Sequence, residues 1–133
     1  MLALLTLSLW GCTSNQVPVA KVSGKVLFED GTPVRLGIVE AISQEHGTTA
    51  TGRIQEDGTF VLGTYTLEDG AAIGSHDVIV MQMIIAQGLE KHAKDHGKPV
   101  HKRFGSYETS SLQMTVDNTD ENSIVLKVTP ADY

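Results

Sequence analysis

The chain has 133 residues, with 16 acidic against 10 basic side chains and a formal charge of −6 when His is neutral. A nucleic-acid binder needs a clustered basic patch, so this balance excludes that class. A single cysteine excludes a disulfide-stapled scaffold, and the length suits one domain with one core.

The first eleven residues, Met1-Leu-Ala-Leu-Leu-Thr-Leu-Ser-Leu-Trp-Gly11, carry no charge, and the polar run Cys12-Thr-Ser-Asn-Gln16 follows abruptly. A membrane-spanning helix needs roughly 20 apolar residues. The run is about half that, and it reads as the hydrophobic region of a signal peptide ending at a processing site. Leu9-Trp-Gly-Cys12 resembles the bacterial lipobox, in which an aliphatic residue and a small one precede the cysteine that is lipidated and becomes the mature N-terminus. It departs from the motif in the bulk of Trp10 and in having no Lys or Arg before the apolar run. The resemblance implies a leader over 1–11, lipidation of Cys12 and a tether over 12–21 that contains Pro18. It also implies a place for the protein: exported, and lipid-anchored to a bacterial membrane facing the periplasm or the cell surface. Stable anchoring takes at least two lipid signals, which an acylated N-terminal cysteine supplies.

Beyond the tether, short apolar runs alternate with Gly, Asp, Asn and Pro punctuation, the pattern of strands and turns. The first strand is expected over 22–28, with Val22, Val26 and Phe28 on one face and Lys25 pointing outward. Asp30-Gly-Thr-Pro33 turns the chain into a second strand over 34–42, whose apolar residues fall on both parities. A third, more polar strand covers 48–54. Glu56-Asp-Gly-Thr-Phe60 makes the next turn and leads into a strand over 60–62, and 68–74 is a loop. The stretch 76–83 is apolar on both parities, as in a central strand covered on both sides. Ile85, Leu89 and His92 recur at helical spacing, which allows a short helix over 86–96 ended by Gly97 within an insertion over 84–105. Runs over 112–116 and 124–128 alternate cleanly and are joined by Asp117-Asn-Thr-Asp-Glu-Asn122, so they are expected to form a final hairpin. The sum is an all-β fold, a single antiparallel seven-stranded β-sandwich over 22–130.

The order and spacing of Val22-Ser-Gly-Lys-Val26, Asp30-Gly-Thr-Pro-Val34, Glu56-Asp-Gly-Thr-Phe60, Asp69-Gly-Ala-Ala-Ile-Gly74, His76 with Val78, and Ser110-Ser-Leu112 ahead of Val116 carry a resemblance. The chain resembles small bacterial lipoproteins with a transthyretin-like, or carboxypeptidase regulatory-like, domain of prealbumin topology. That resemblance implies a non-enzymatic module. The segment between Met83 and Phe104 is longer and richer in His and Lys than the family pattern.

Three places invite chemistry. On a helix, His92 and His96 stand four apart and share a face, so with His101 or Asp95 they are candidate metal ligands; Lys91, Lys94 and Lys98 oppose a divalent cation there. The acidic run 117–122 lacks the spacing of a calcium loop and suits a turn. The transthyretin-related hydrolases end in a Tyr-Arg-Gly-Ser segment that Thr129-Pro-Ala-Asp-Tyr133 does not match, and neither His46 in a turn nor His76 at a strand start has a nucleophile at a catalytic spacing. Lys25, as an exposed lysine, does not suit an isopeptide cross-link. The sequence therefore points to an envelope lipoprotein without catalytic site or cofactor. Its sandwich is a structural or interaction module whose partners are the membrane, envelope proteins or surface glycans, not nucleic acid. The alternative is a metal- or small-ligand-binding protein using His92, His96 and His101.

Overall fold

A computed structural model describes residues 15–82 and 98–132. Among the described residues two sheets are built from eight strands: β1 Val19–Phe28, β2 Gly37–Ser43, β3 Thr49–Ile54, β4 Thr59–Val61, β5 Ala71–Ala72, β6 Gly74–Met81, β7 Leu112–Val116 and β8 Glu121–Val128. The eighth, missed in the sequence, is β5. Its two residues are too few to show alternation, and they pair with Val19 and Ala20, which extend β1 three residues before its expected start. In one sheet β1 is central, with β4 and β5 on one side and β8 on the other; the second sheet runs β3-β2-β6-β7.

Alternation creates the core, because one parity of each strand faces the opposite sheet. Val22, Val26 and Phe28 of β1, Val39 and Ala41 of β2, Val78 and Val80 of β6, and Leu126 and Val128 of β8 are all buried. Gly24 lies among the buried side chains of β1 because the Phe60 ring crosses over it. A Cβ there would meet the Ile124 carbonyl as well as Phe60 Cζ at 2.7 Å.

Three further expectations need correction. The second strand starts at Gly37 and not at 34, because Leu36 and Gly37 take positive φ (59° and 138°) and break the extended chain. Val34 is nonetheless buried, hooked to the end of β1 by its N–H, which donates to Val26 O at 2.9 Å. The sandwich is not wholly antiparallel, because β1 and β8 run parallel along their whole shared length, from Lys21 beside Glu121 to Phe28 beside Val128. Nor do the last two strands form a hairpin. β7 pairs with β6 and β8 with β1, so the turn between them carries the chain from one sheet to the other. Asn122 closes that crossover: its Oδ1 accepts from Asp117 N at 2.9 Å, and its Nδ2 donates to Asp117 O at 3.1 Å and to Lys21 O at 3.2 Å.

β6 is central and covered on both faces, as expected. Ile79, on the face away from the core, is only 5% exposed. The chain over 102–110 lies against β6, with a 3-10 turn at Lys102–Gly105 whose Phe104 is buried. Ser110 Oγ donates to Val78 O at 2.6 Å, and Tyr107 Oη donates to Glu40 Oε1 at 2.9 Å. Burial and the Glu40 carboxylate both push the Tyr107 phenol well above its usual pKa. The expected helix over 86–96 falls outside the described residues. No helix among the described residues is long and apolar enough to cross a membrane.

Candidate functional site

Cys12, His92, His96 and Asp95 lie outside the described residues, so of the candidate metal ligands only His101 is among the described residues. It sits where the chain enters the 3-10 turn. Its Nδ1 accepts from Arg103 N at 3.1 Å, capping the turn, and its Nε2 lies 3.5 Å from Asp132 Oδ2. Its backbone is tied down too, since His101 N donates to Thr129 O and Ala131 N to Pro99 O, both at 2.9 Å. His101 therefore acts as a joint between the segment before the turn and the end of the chain. Among the described residues no group of three or more His, Cys, Asp or Glu side chains is arranged to hold a metal.

The other candidates resolve into structural roles. Lys25 is exposed, as its parity predicted. His46 lies in the turn between β2 and β3, where its N–H donates to Ser43 Oγ at 3.0 Å. His76 is not at the margin of a strand but wholly buried within β6, on the same face as Val78 and Val80. Its Nδ1 is 3.2 Å from Gly74 O, the geometry of a donated N–H, while Nε2 has no hydrogen-bond partner among the described residues. Burial lowers the His76 pKa and outweighs the opposing pull of Gly74 O and Asp77. The alternation His76-Val78-Val80 was the signal that would have found this.

Two surface features remain. An open groove of ≈ 690 Å³ is lined by Ile38 and Glu40 of β2, Arg53 of β3, Val61 of β4, Met81 of β6 and Leu67. Leu67, at the tip of the loop after β4, is 95% exposed. Asp69 shapes that loop by accepting from Thr64 N at 2.6 Å and from Tyr65 N and Thr66 N at 3.1 Å.

The second feature is the open side of the sandwich. Thr51 and Gly63 exchange both backbone hydrogen bonds at 2.9 Å and close one side, whereas among the described residues β7 and β8 are each paired on one edge alone. The direction of the backbone groups follows from the pairing. Leu62 N donates to Val22 O and Val26 N to Gly58 O, so even residues of β1 face β4 and odd ones face β8. In a parallel ladder the even residues of β8 then bond β1, and Ser123, Val125 and Lys127 turn their N–H and C=O groups outward. Thr129 and Ala131 continue that row and are the ones taken by His101 and Pro99. On β7, Gln44 N donating to Ser75 O fixes the opposite set, and Gln113 and Thr115 face out. Unpaired backbone of this kind is a template for strand addition.

No family model matches the chain, and no curated protein matches it closely enough to count as a relative. Among solved structures it is similar to a DUF3823 family protein from Parabacteroides merdae, with 17% identity over 86% of this chain and a TM-score of 0.47. The chain spans about half of that protein, 48% of its length.

Proposed function

We propose that this protein is an exported lipoprotein, held to a bacterial membrane through acylated Cys12, whose β-sandwich is a non-catalytic interaction module of the cell envelope. The anchoring half rests on the charge-free run before Cys12 and on Leu9-Trp-Gly-Cys12. The observation that carries the module half is the pair of open strand edges, which offer backbone hydrogen bonds to an envelope protein or, through their polar rims, to a surface glycan. We place the sandwich in the transthyretin-like class. The support is that both Asp-Gly-Thr motifs quoted for that resemblance fall at tight turns leading into buried residues, Val34 after the first and Phe60 after the second.

The tether sets the geometry of this arrangement. Six residues separate Cys12 from the first residue of β1, a reach of at most about 25 Å even when extended. The sandwich therefore lies against the bilayer surface. Mass spectrometry of the mature protein from its native membrane tests the anchor, with an acylated peptide starting at Cys12 as the expected result. A peptide running unmodified from Met1 through Cys12 refutes it. A Cys12→Ser variant is expected to leave the membrane fraction.

A further inference from the structure

We propose that the open edge of β8 is a self-association surface, on which a second copy of this chain docks its own β8 antiparallel to form a two-fold dimer with one continuous sheet. The proposal rests on reading the open edges as interaction surfaces, and it names the occupant of one of them.

Three observations choose β8 and fix the register. The first is length. The outward backbone groups of β8 run through Ser123, Val125 and Lys127 until Thr129, whose carbonyl is already taken by His101, whereas β7 offers only Gln113 and Thr115. Outward residues must meet outward residues across an antiparallel pair. The alignment that uses the whole stretch 121–127 of both copies, without reaching Thr129, sets residue 121 against 127 and 123 against 125, with the two-fold axis passing between the two Ile124 residues; at its end Glu121 O already accepts from the Thr119 hydroxyl at 3.0 Å and meets the second copy through its other lone pair.

The second observation is charge. This same alignment places Glu121 of each copy against Lys127 of the other. Both side chains are exposed, and neither has an ion-pair partner among the described residues. Opposite charges directly across a strand pair stabilise it, and like charges destabilise it. A one-pair slip in either direction loses both matches.

The third is Val125, 57% exposed on the outer face at the middle of the edge. In the aligned dimer it faces Ser123 of the second copy and lies diagonally beside that copy's Val125, so the two valines cover each other. The surface is self-complementary, as a two-fold interface requires.

The test uses the full chain carrying Cys12→Ser, in mild detergent, with mass read by analytical ultracentrifugation. The wild-type edge is expected to give a dimer. Lys127→Glu alone and Glu121→Lys alone are each expected to weaken it about tenfold, because symmetry counts each like-charge contact twice. The double variant Glu121→Lys/Lys127→Glu is expected to restore dimerisation, which a merely misfolded single variant does not explain. Ile124→Cys places two thiols at the two-fold, in a pair whose Cα atoms are about 4.5 Å apart, and is expected to give a disulfide-linked dimer, whereas Val125→Cys is not. A monomer throughout, single charge variants that dimerise as the wild type does, or cross-linking by Val125→Cys in place of Ile124→Cys overturns the proposal. A photo-cross-linker at position 125 in the native membrane separates it from the broader reading. An adduct of twice the chain mass supports self-pairing. Adducts with other proteins alone overturn self-pairing and leave the interaction module standing, and no adduct at all overturns both.

Discussion

At the scale of single residues, side chains that looked functional prove to be fasteners. Asn122, at the end of an acidic run, makes three hydrogen bonds and locks the crossover between sheets. Asn122→Ala leaves two backbone carbonyls and one N–H without their partner, and is expected to cost about 1–3 kcal/mol, measured by urea denaturation. Gly24 is fixed by a close approach: any Cβ collides with Phe60 and with the β8 backbone, so Gly24→Ala is expected to cost about 1–3 kcal/mol in the same measurement. His76 predicts a pH dependence. Its folded pKa lies below the ordinary 6.5, so the unfolded chain binds the proton more readily. Stability linked to His76 is whole above pH 6.5 and is lost as pH falls from there through the lowered folded value. A His76→Gln variant is expected to flatten the fall in denaturation midpoint on going from pH 7 to pH 5, and an unchanged slope refutes the assignment.

At the scale of elements, the two Asp-Gly-Thr turns show how much the sequence made readable. In each, the Asp carboxylate accepts from the Thr N–H at 3.0 Å and from its hydroxyl at 2.6 Å, and these bonds lower the carboxyl pKa of both Asp30 and Asp57. Such a turn is local chemistry, which is why it was legible from a few letters. The faces of the strands were legible for the same reason, since alternation is written residue by residue. Their neighbours were not. Leu112–Val116 and Glu121–Val128 alternate so cleanly that a hairpin looks natural, yet alternation says which side a residue faces and nothing about the strand beside it. The open edge of β8 was hidden for that reason: Glu121 and Lys127 were visible, but their freedom depends on pairing one hundred positions away. His101 was visible as a ligand type, and only its contacts with Arg103 N and Asp132 revealed a joint. The chain over 102–110 gives a further prediction. Phe104 is the buried residue of the 3-10 turn, so Phe104→Ala is expected to cost about 3–5 kcal/mol and to raise hydrogen exchange along β6.

At the scale of the whole molecule, the parallel ladder between the first and last strands governs how the domain comes into being. Asn122 reaches Lys21 across 101 positions of chain, and the core residues Leu126 and Val128 belong to the last strand. Deleting 121–133 removes one whole side of β1 and is expected to abolish cooperative unfolding, read by far-ultraviolet circular dichroism on heating. The consequence reaches into the timing of biosynthesis. While the ribosome is still making the chain, β1 has no permanent neighbour along the edge that β8 will occupy, so the sandwich stays unfinished until β8 has emerged. The parallel partner that β1 needs is thus the last strand of the sandwich to be made, and until then β1 keeps one edge open.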